Sequence, residues 1–268
     1  MARVFDGEAL AKKKEGELKT KIERLKKQGK GAKLAVIVFS DDAAGKLYSD
    51  LKQAAAERVG IEFEEFNFSD IDLEPVIKLI GRLNRDPKVT GIMIQRPGVS
   101  WGKSRGMDRV GFEAWWVQLV KTIVPGKDVD GLRQGSRFVP ATVKAVEAIL
   151  NSLPSRDGKV VVVGSLGLVG RALVKKLGAT GVDIETKDLG AITLEADVLI
   201  SAAGQPNLIT VEMVKDGAVV IDVGWPKGDV DFEAVKRQAA VITPVPGGVG
   251  PVTVVSLLEN LVEAGYSN

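Results

Sequence analysis

The sequence of 268 residues contains no cysteine and no histidine. Without cysteine there can be no disulfide framework, thiolate nucleophile or thiolate metal site. Without histidine, the commonest metal ligand and general base is also missing. These absences exclude Ser-His-Asp and Cys-His hydrolases and the histidine-containing zinc sites, and we expect no resident metal. Lysine, carboxylates, tyrosine and a bound cofactor remain as agents of catalysis.

The sequence also lacks blocks of like charge and long apolar runs. Its 37 basic and 35 acidic residues are mixed along the chain, with a net charge of +2, which gives no electrostatic footprint for nucleic-acid binding. No run reaches the length of a membrane span, and residues 1–14 are charged and lack a signal-peptide core. We therefore expect a cytoplasmic protein without nucleic-acid or membrane partners.

The pattern of the first half predicts a small parallel α/β unit, because strands and helices alternate. The predicted strands are 34–39, 61–66 and 89–94, and the predicted helices are 43–59, 73–83 and 112–123, with a long loop over 96–111. Gly60 is expected to end the helix over 43–59. Functional sites are expected at the carboxyl ends of the strands, where Ser40 and Gln95 lie.

The second half repeats this alternation and predicts a Rossmann-like domain. The predicted strands are 159–163, 182–185, 198–201 and 219–223, with a turn over 164–170 and a helix over 171–177. A final helix over 254–264 is expected to return to the first domain. The predicted fold class is therefore α/β with two lobes. Residues 1–138 with the C-terminal helix 253–268 form the first lobe, and residues 139–252 form the Rossmann-like lobe.

Three glycines form a candidate dinucleotide-binding turn. Gly164, Gly167 and Gly170 follow an apolar strand and precede a helix, with G-x-x-G-x-x-G spacing in place of the commoner G-x-G-x-x-G. Such glycines let a pyrophosphate approach the backbone, and the helix N-terminus favours its charge. A turn made only for strand-helix packing is the alternative.

Two residues beyond this turn indicate opposite cofactors. Glu185 ends the next predicted strand, where a carboxylate binds the ribose of NAD, whereas Lys187 could meet the 2′-phosphate of NADP. Taken alone, each residue is better explained as a solvated strand end.

Tyr48 and Lys52 are four residues apart on a predicted helix and therefore share one face. A tyrosine can stack on a flat ring, and a lysine with a depressed pKa can move a proton. Surface packing is the alternative explanation of such a pair.

Two segments rich in turn-forming residues complete the candidate site. The segment 125–131 holds Asp128 and Asp130, which either fix turns or bind the edge of an aminopyrimidine-like ring. Residues 244–251 contain three prolines and three glycines, which form a stiff loop with few side chains. Such a loop suits a flat ligand, and a structural crossover between domains is the alternative.

Together these features resemble the bifunctional methylenetetrahydrofolate dehydrogenase/methenyltetrahydrofolate cyclohydrolase family. The resemblance covers nearly the whole chain from about Val4. It rests on Tyr48-x-x-x-Lys52, Gln95-x-Pro97, the 125–131 segment, the glycine turn, the segment 217–224 and the Pro/Gly loop, which occur in the same order and approximate spacing.

The resemblance implies a catalytic, folate-binding first domain and a nucleotide-binding second domain. It implies oxidation of methylenetetrahydrofolate with NADP, NAD being possible, and hydrolysis of the methenyl product to formyltetrahydrofolate. A homodimer acting in one-carbon metabolism and purine biosynthesis is also implied.

The resemblance further implies roles for individual residues. Lys52 would be the catalytic lysine, tuned by Gln95, while Tyr48 stacks on the folate and Asp130 anchors the pterin. The other implied contacts are Pro246, Gly247 and Gly248 with the substrate, and Gly164, Ser165, Leu166, Gly167, Gly170, Glu185 and Lys187 with the cofactor.

The sequence departs from the family pattern at several positions. The usual Gly-Arg-Ser of the cofactor turn is Gly164-Ser165-Leu166, and a usual serine before the tyrosine is Gly45. Three alternatives therefore stay open: a cyclohydrolase that has lost dehydrogenase activity, a non-catalytic folate-binding or partner-binding protein that presents Trp115 and Trp116, and a shikimate-type or amino-acid dehydrogenase.

Overall fold

The computed structural model describes residues 1–39, 41–154 and 158–267. Ser40, predicted to lie at a strand end, is outside the described residues. The chain divides into two compact units. The first-half unit comprises Lys14–Ala141 and Leu257–Asn268, and the second-half unit comprises Met1–Lys13 and Thr142–Ser256.

The elements alternate between strands and helices through most of the chain. The strands are β1 (Arg3–Val4), β2 (Lys33–Phe39), β3 (Glu62–Phe68), β4 (Gly91–Ile94), β5 (Val160–Val163), β6 (Thr180–Val182), β7 (Val198–Ser201), β8 (Val219–Asp222) and β9 (Val241–Ile242). The helices are α1 (Gly7–Lys27), α2 (Ala43–Val59), α3 (Leu73–Arg85), α4 (Val99–Lys103), α5 (Arg109–Lys121), α6 (Ala141–Asn151), α7 (Leu168–Leu177), α8 (Leu189–Leu194), α9 (Phe232–Val235) and α10 (Val249–Ser267), with a 3₁₀ turn at Val211–Met213.

The first-half unit contains a parallel sheet in the order β3-β2-β4. The central strand β2 is apolar and buried from Leu34 onward, as expected for a parallel strand covered on both faces. Gly91 in β4 permits close packing, because a Cβ there would lie 2.5 Å from Leu261 and 2.6 Å from Val129. The last part of α10 therefore packs directly on this sheet.

Helix α2 has the predicted bounds. Gly60 ends it with a left-handed φ of 81°, and the Gly60 N–H donates to the carbonyl of Glu57 at 3.1 Å. This helix carries Tyr48 and Lys52, so the local signal that ends it also fixes the element on which the candidate lysine lies.

The predicted loop over 96–111 is wrong, since it contains α4 and the start of α5. Trp101 of α4 is buried against Phe39 and Trp115, with ring centroids 4.9 and 5.4 Å away. Arg105 donates to Asp41 at 2.5 Å and lies 4.1 Å from the centroid of Trp101. Burial of the Trp101 side chain therefore stabilises helical structure in a segment whose glycines and cations indicated a loop.

The second-half unit contains a parallel sheet in the order β1-β9-β8-β7-β5-β6. After β5 the chain adds β6 on one side and then continues with β7 on the other. This reversal is the topological switch point, and ligands of such sheets bind beside it at the carboxyl ends of the strands. The glycine turn directly follows β5 at that position.

Residues 1–13 belong to the second-half unit, whereas the sequence analysis places them in the first lobe. Arg3 and Val4 pair in parallel with Val241 and Ile242, which extends the sheet by one short strand. Two residues are too few to show a strand period, so only the tertiary pairing reveals β1. The structure divides the chain after Ala141 and Ser256.

Within the described parts of the chain, no helix has both the length and the apolar content needed to cross a membrane.

Candidate active site

Lys52 lies in a buried contact with two residues that the sequence analysis assigns to the same site. Its side chain is only 3% exposed, and its Nζ donates to the Oε1 of Gln95 at 2.5 Å. The same Nζ lies 4.0 Å from the ring centroid of Tyr48, one helical turn earlier. The structure therefore brings Tyr48, Lys52 and Gln95 together.

Burial changes the acid-base properties of this group. It lowers the pKa of Lys52 to about 7, although the negative charge of Asp130 favours the protonated amine. Burial also raises the pKa of Asp130 to about 6, against the effect of Lys52 and with a smaller contribution from Asp128. Both pKa values consequently lie near neutral pH. A group with such a pKa can both accept and donate a proton at that pH.

Gln95 is positioned by the strand that precedes it. It follows the last residue of β4, and its N–H continues the sheet by donating to the carbonyl of Ile37 at 2.8 Å. This bond fixes the main chain at the carboxyl end of the sheet. The side-chain amide is therefore placed by strand pairing, and Lys52 reaches it from α2, 43 residues earlier.

The segment carrying Asp130 runs beside β4. The N–H of Ile92 donates to the carbonyl of Lys127 at 2.7 Å, and Ile92 forms a parallel bridge with Asp128. Buried Asn260 of α10 donates to the carbonyls of Val129 and Val139, both at 2.9 Å. The sequence analysis missed Asn260, since its partners are more than 100 residues away.

The two carboxylates of this segment differ in what they contact. The Oδ2 of Asp128 accepts from the N–H of Arg133 at 3.0 Å, so this buried carboxylate fixes the turn. Burial raises the pKa of Asp128, while its hydrogen bonds oppose that rise. Asp130, in contrast, is the carboxylate whose charge acts on Lys52. The turn-fixing interpretation therefore holds for Asp128, whereas binding of a ring edge by Asp130 stays a prediction.

Gly45, where the family commonly has serine, faces an acidic side chain. A Cβ at Gly45 would lie 2.6 Å from the Oδ2 of Asp42. The same oxygen accepts from the N–H of Gly98 at 3.2 Å. A serine at 45 would displace Asp42 from this position.

The glycine turn has a shape that side chains would disrupt. Gly164 has a φ of 85°, and a Cβ there would lie 2.4 Å from the carbonyl oxygen of Ala202. A Cβ on Gly170 would lie 2.0 Å from the carbonyl oxygen of Gly164. Helix α7 begins next to this turn, and its cap, Gly167, has no side chain to occupy the first N–H groups. These groups fit the pyrophosphate of a dinucleotide.

Ser165 and Leu166, which the sequence analysis assigns to the cofactor, lie in the same turn. Ser165 faces β6, because a Cβ on Gly181 would lie 2.8 Å from its own Cβ. Leu166 is 70% exposed. Its N–H donates to the Oδ2 of Asp183 at 3.1 Å.

The predicted strand end at Glu185 is wrong. Strand β6 ends at Val182, whose carbonyl accepts from the N–H groups of both Gly164 and Ser165 at 3.0 Å. Glu185 and Lys187 lie beyond that end and are exposed. Asp183 directly follows the strand, about 20 residues after Gly164, which is the spacing of a ribose-binding acid. That spacing was the sequence signal for Asp183.

The Pro/Gly loop lies in the second-half unit. Gly247 has a φ of 98°, and its carbonyl accepts from the N–H of Gly7 at 3.0 Å. A Cβ on Gly248 would lie 2.5 Å from the carbonyl oxygen of Pro244. Pro246, which precedes Gly247, is exposed. Helix α10 starts at Val249, five residues before the predicted helix.

Among the residues that the structure describes, acidic side chains form no group of three or more that could hold a metal ion.

Comparison with known proteins identifies both halves of the chain. The tetrahydrofolate dehydrogenase/cyclohydrolase catalytic domain matches residues 5–130, and the NAD(P)-binding domain of the same family matches residues 140–268. The bifunctional protein FolD of Lactobacillus helveticus is 38% identical over 98% of this chain and 97% of its own length.

Solved structures agree with this assignment. The FolD methylenetetrahydrofolate dehydrogenase/cyclohydrolase of Campylobacter jejuni is 35% identical, with a TM-score of 0.87 over 100% of this chain and 99% of the other. The Trypanosoma brucei enzyme, solved with NADP and an inhibitor, is 30% identical, with a TM-score of 0.86 over 99% and 98% of the two chains. The chain therefore belongs to the tetrahydrofolate dehydrogenase/cyclohydrolase family, with both the catalytic and the NAD(P)-binding domain.

Proposed function

We propose that this protein oxidises 5,10-methylenetetrahydrofolate with NAD(P)⁺ and hydrolyses the methenyl product to 10-formyltetrahydrofolate, with Lys52 as the proton-transfer group. Both activities are those of its family. The main supporting observation is the buried contact between the Lys52 Nζ and Gln95, together with the lowering of the Lys52 pKa to about 7. An ordinary surface lysine would be protonated at neutral pH and unable to accept a proton.

Hydrolysis requires three proton transfers. A water oxygen forms a bond to the methenyl carbon and loses one proton, and the bond from that carbon to N5 then breaks as N5 gains a proton. The hydroxyl group loses its remaining proton to solvent as the carbonyl forms, so that one proton is released overall. The neutral amine of Lys52 accepts the first proton, and its protonated form donates the second. A pKa near 7 suits both directions, because neither form is strongly favoured at neutral pH.

Gln95, Tyr48 and Asp130 support this lysine. The amide oxygen of Gln95 accepts a hydrogen bond from the Lys52 Nζ and so fixes the orientation of the amine. The ring of Tyr48 lies beside the Nζ and offers a flat face to the folate. The carboxylate of Asp130 is suited to accept hydrogen bonds from the amino and ring N–H groups of the pterin. Its charge also keeps the Lys52 pKa from falling further.

Dehydrogenation depends on the bound dinucleotide. When bound, the nicotinamide accepts the hydride that the methylene carbon releases. Gly164, Gly167 and Gly170 would hold the pyrophosphate, with Ser165 and Leu166 in the same turn. Pro246, Gly247 and Gly248 are the proposed substrate contacts from the second-half unit, supported by their nearly bare backbone.

Initial rates test the proposal. Purified protein is given methylenetetrahydrofolate with NADP or with NAD, while reduced cofactor and methenyltetrahydrofolate are followed together. Turnover with either nucleotide is expected. If neither supports turnover but methenyltetrahydrofolate is still hydrolysed, the dehydrogenase part of the proposal is wrong. If the Lys52→Ala variant kept both activities, the proposed role of the lysine would be refuted.

A homodimer, a cytoplasmic location and the supply of formyl groups to purine biosynthesis belong to the same proposal, on the basis of the family resemblance. Light scattering on the purified protein tests the first of these. A mass near twice the 28.6 kDa of the chain is expected, and a mass equal to one chain would contradict the dimer.

A further inference from the structure

Asp183 occupies a position in the second-half unit to which the sequence analysis gave no role. Its Oδ2 accepts from the N–H of Leu166 in the glycine turn at 3.1 Å. Its Oδ1 accepts from the N–H of Ile184 at 2.9 Å. Two backbone bonds therefore hold this partly buried carboxylate against the turn.

This position determines which group of a dinucleotide the carboxylate meets. Asp183 directly follows β6, the edge strand beside β5, at the carboxyl end of the sheet. In doubly wound sheets, a carboxylate there accepts hydrogen bonds from the ribose hydroxyls of the adenosine half. Each carboxylate oxygen has more than one lone pair, so the two backbone bonds leave acceptor capacity for a ligand.

The chemistry of the two cofactors differs at this point. NAD has a 2′-hydroxyl, which can donate to a carboxylate. NADP has a 2′-phosphate, which offers only negative oxygens near neutral pH and is repelled by a fixed carboxylate. A site that binds NADP well needs a cation held at the same place.

The cations on neighbouring segments are Arg171 and Lys187. The Nη2 of Arg171 donates to the carbonyl of Leu166 at 2.9 Å, so the backbone of the turn already engages this guanidinium. Lys187 is exposed, four residues beyond Asp183. The carboxylate is thus held by two main-chain bonds, and within the described part of the chain neither Arg171 nor Lys187 donates to it.

We propose that Asp183 is a specificity-determining residue that selects NAD, with its free 2′-hydroxyl, over NADP. This inference rests on the proposed function of the glycine turn as a dinucleotide site.

Binding of nucleotide fragments tests the proposal without requiring catalysis. Isothermal titration calorimetry of the whole protein with ADP-ribose and with 2′-phospho-ADP-ribose gives the ratio of the two dissociation constants. ADP-ribose is expected to bind about tenfold more tightly or better, as for a hydrogen bond to a charged group. Equal binding, tighter binding of the phosphorylated fragment, or binding of neither would overturn the proposal.

Variants of this segment identify the responsible residue. Asp183→Asn keeps an acceptor for Leu166 but removes the charge, and the preference should fall by about tenfold. Asp183→Glu keeps the charge and should retain part of the preference, which a purely structural role would not predict. Glu185→Gln removes the same charge two residues away and should change the ratio by less than about threefold.

These outcomes separate the inference from the wider function. If Glu185→Gln alters the ratio and Asp183→Asn does not, the exposed glutamate is the selector and the proposal is wrong. Melting temperatures show whether each variant is folded. Because both fragments lack nicotinamide, an enzyme without dehydrogenase activity still gives a decisive ratio, so failure of the proposed oxidation is distinguishable from failure of this inference.

Discussion

The lysine site and the glycine turn are built on opposite principles. Around Lys52, the proposed function depends on side chains whose acidity is set by burial, and the atoms concerned are an amine, an amide and a carboxylate. Around Gly164 and Gly170, the proposed function depends on the backbone, because a side chain at either glycine would collide with neighbouring atoms. The first region should therefore fail when atoms are removed, and the second when atoms are added.

The largest expected effect is that of Lys52→Met. The substitution keeps most of the side-chain volume but removes the amine, so hydrolysis of methenyltetrahydrofolate should fall by about 10²- to 10⁴-fold. Binding of ADP-ribose should stay within about twofold, because the nucleotide turn is in the other unit. Stopped-flow rates and calorimetry measure the two quantities.

Lys46→Met is the matched control. Lys46 lies on the same helix, but its amine is much more exposed and pairs with Asp50 and Glu65. Hydrolysis should remain close to that of the unmodified protein. Equal losses in the two variants would mean that the burial of Lys52 has no special role.

Gly170→Ala should produce the next largest effect, in the other region. The added methyl would lie 2.0 Å from the carbonyl oxygen of Gly164, so the turn must move. Accommodating such overpacking costs about 1–3 kcal/mol. Because the turn that would bind the pyrophosphate is displaced, the affinity for ADP-ribose should fall by about tenfold or more. Hydrolysis of methenyltetrahydrofolate should persist. Unchanged affinity would show that the turn does not bind nucleotide.

Asp130→Asn should change the pH dependence of hydrolysis. The carboxylate favours protonated Lys52, so its removal lowers the Lys52 pKa below about 7. Because the neutral amine accepts the proton, the rate rises with pH through that pKa, and the rising limb should move to lower pH. Hydrolysis rates, corrected for the uncatalysed reaction and measured across the pH range, give the midpoint of the rising limb. This midpoint does not depend on the maximal rate of the variant. A limb that stays in place or moves to higher pH would contradict the coupling of these two groups.

Gly16→Ala should have the smallest effect and shows which glycines matter. Gly16 is exposed inside α1, and a Cβ there meets nothing within 4 Å. Alanine should raise the free energy of unfolding by about 0.5–1 kcal/mol, as in other helix interiors. Denaturant titration measures this change. A destabilisation similar to that of Gly170→Ala would remove the distinction between the two glycines.

The fold was predictable where local signals were strong. The bounds of α2 and β7 agree with the predictions, since a glycine stop and a short β-branched run are local features. Helix α1 was not predicted, because charged residues dominate it and its buried face consists of a few positions such as Leu18, Ile22 and Leu25. Strand β1 was not predictable, since its evidence is its pairing with β9.

The site was predictable in its residues but not in its properties. The family resemblance selected Tyr48, Lys52, Gln95 and Asp130, and the structure places the first three in contact. Their catalytic roles stay proposals. Nothing local in the sequence indicated that Lys52 is almost completely buried, because Gln95 and Asp130, which act on its amine, come from distant parts of the chain.

The sequence by itself determined the available chemistry. It excluded histidine and thiolate catalysis, supplied the glycines that a bare turn requires, and carried the motifs of the family. Tertiary structure decided the position of each of two nearby carboxylates in each region: Asp130 and not Asp128 influences the pKa of Lys52, and Asp183 and not Glu185 directly follows β6. The physical reason is that desolvation and strand register depend on packing between residues far apart in the chain, whereas spacing and residue type are local.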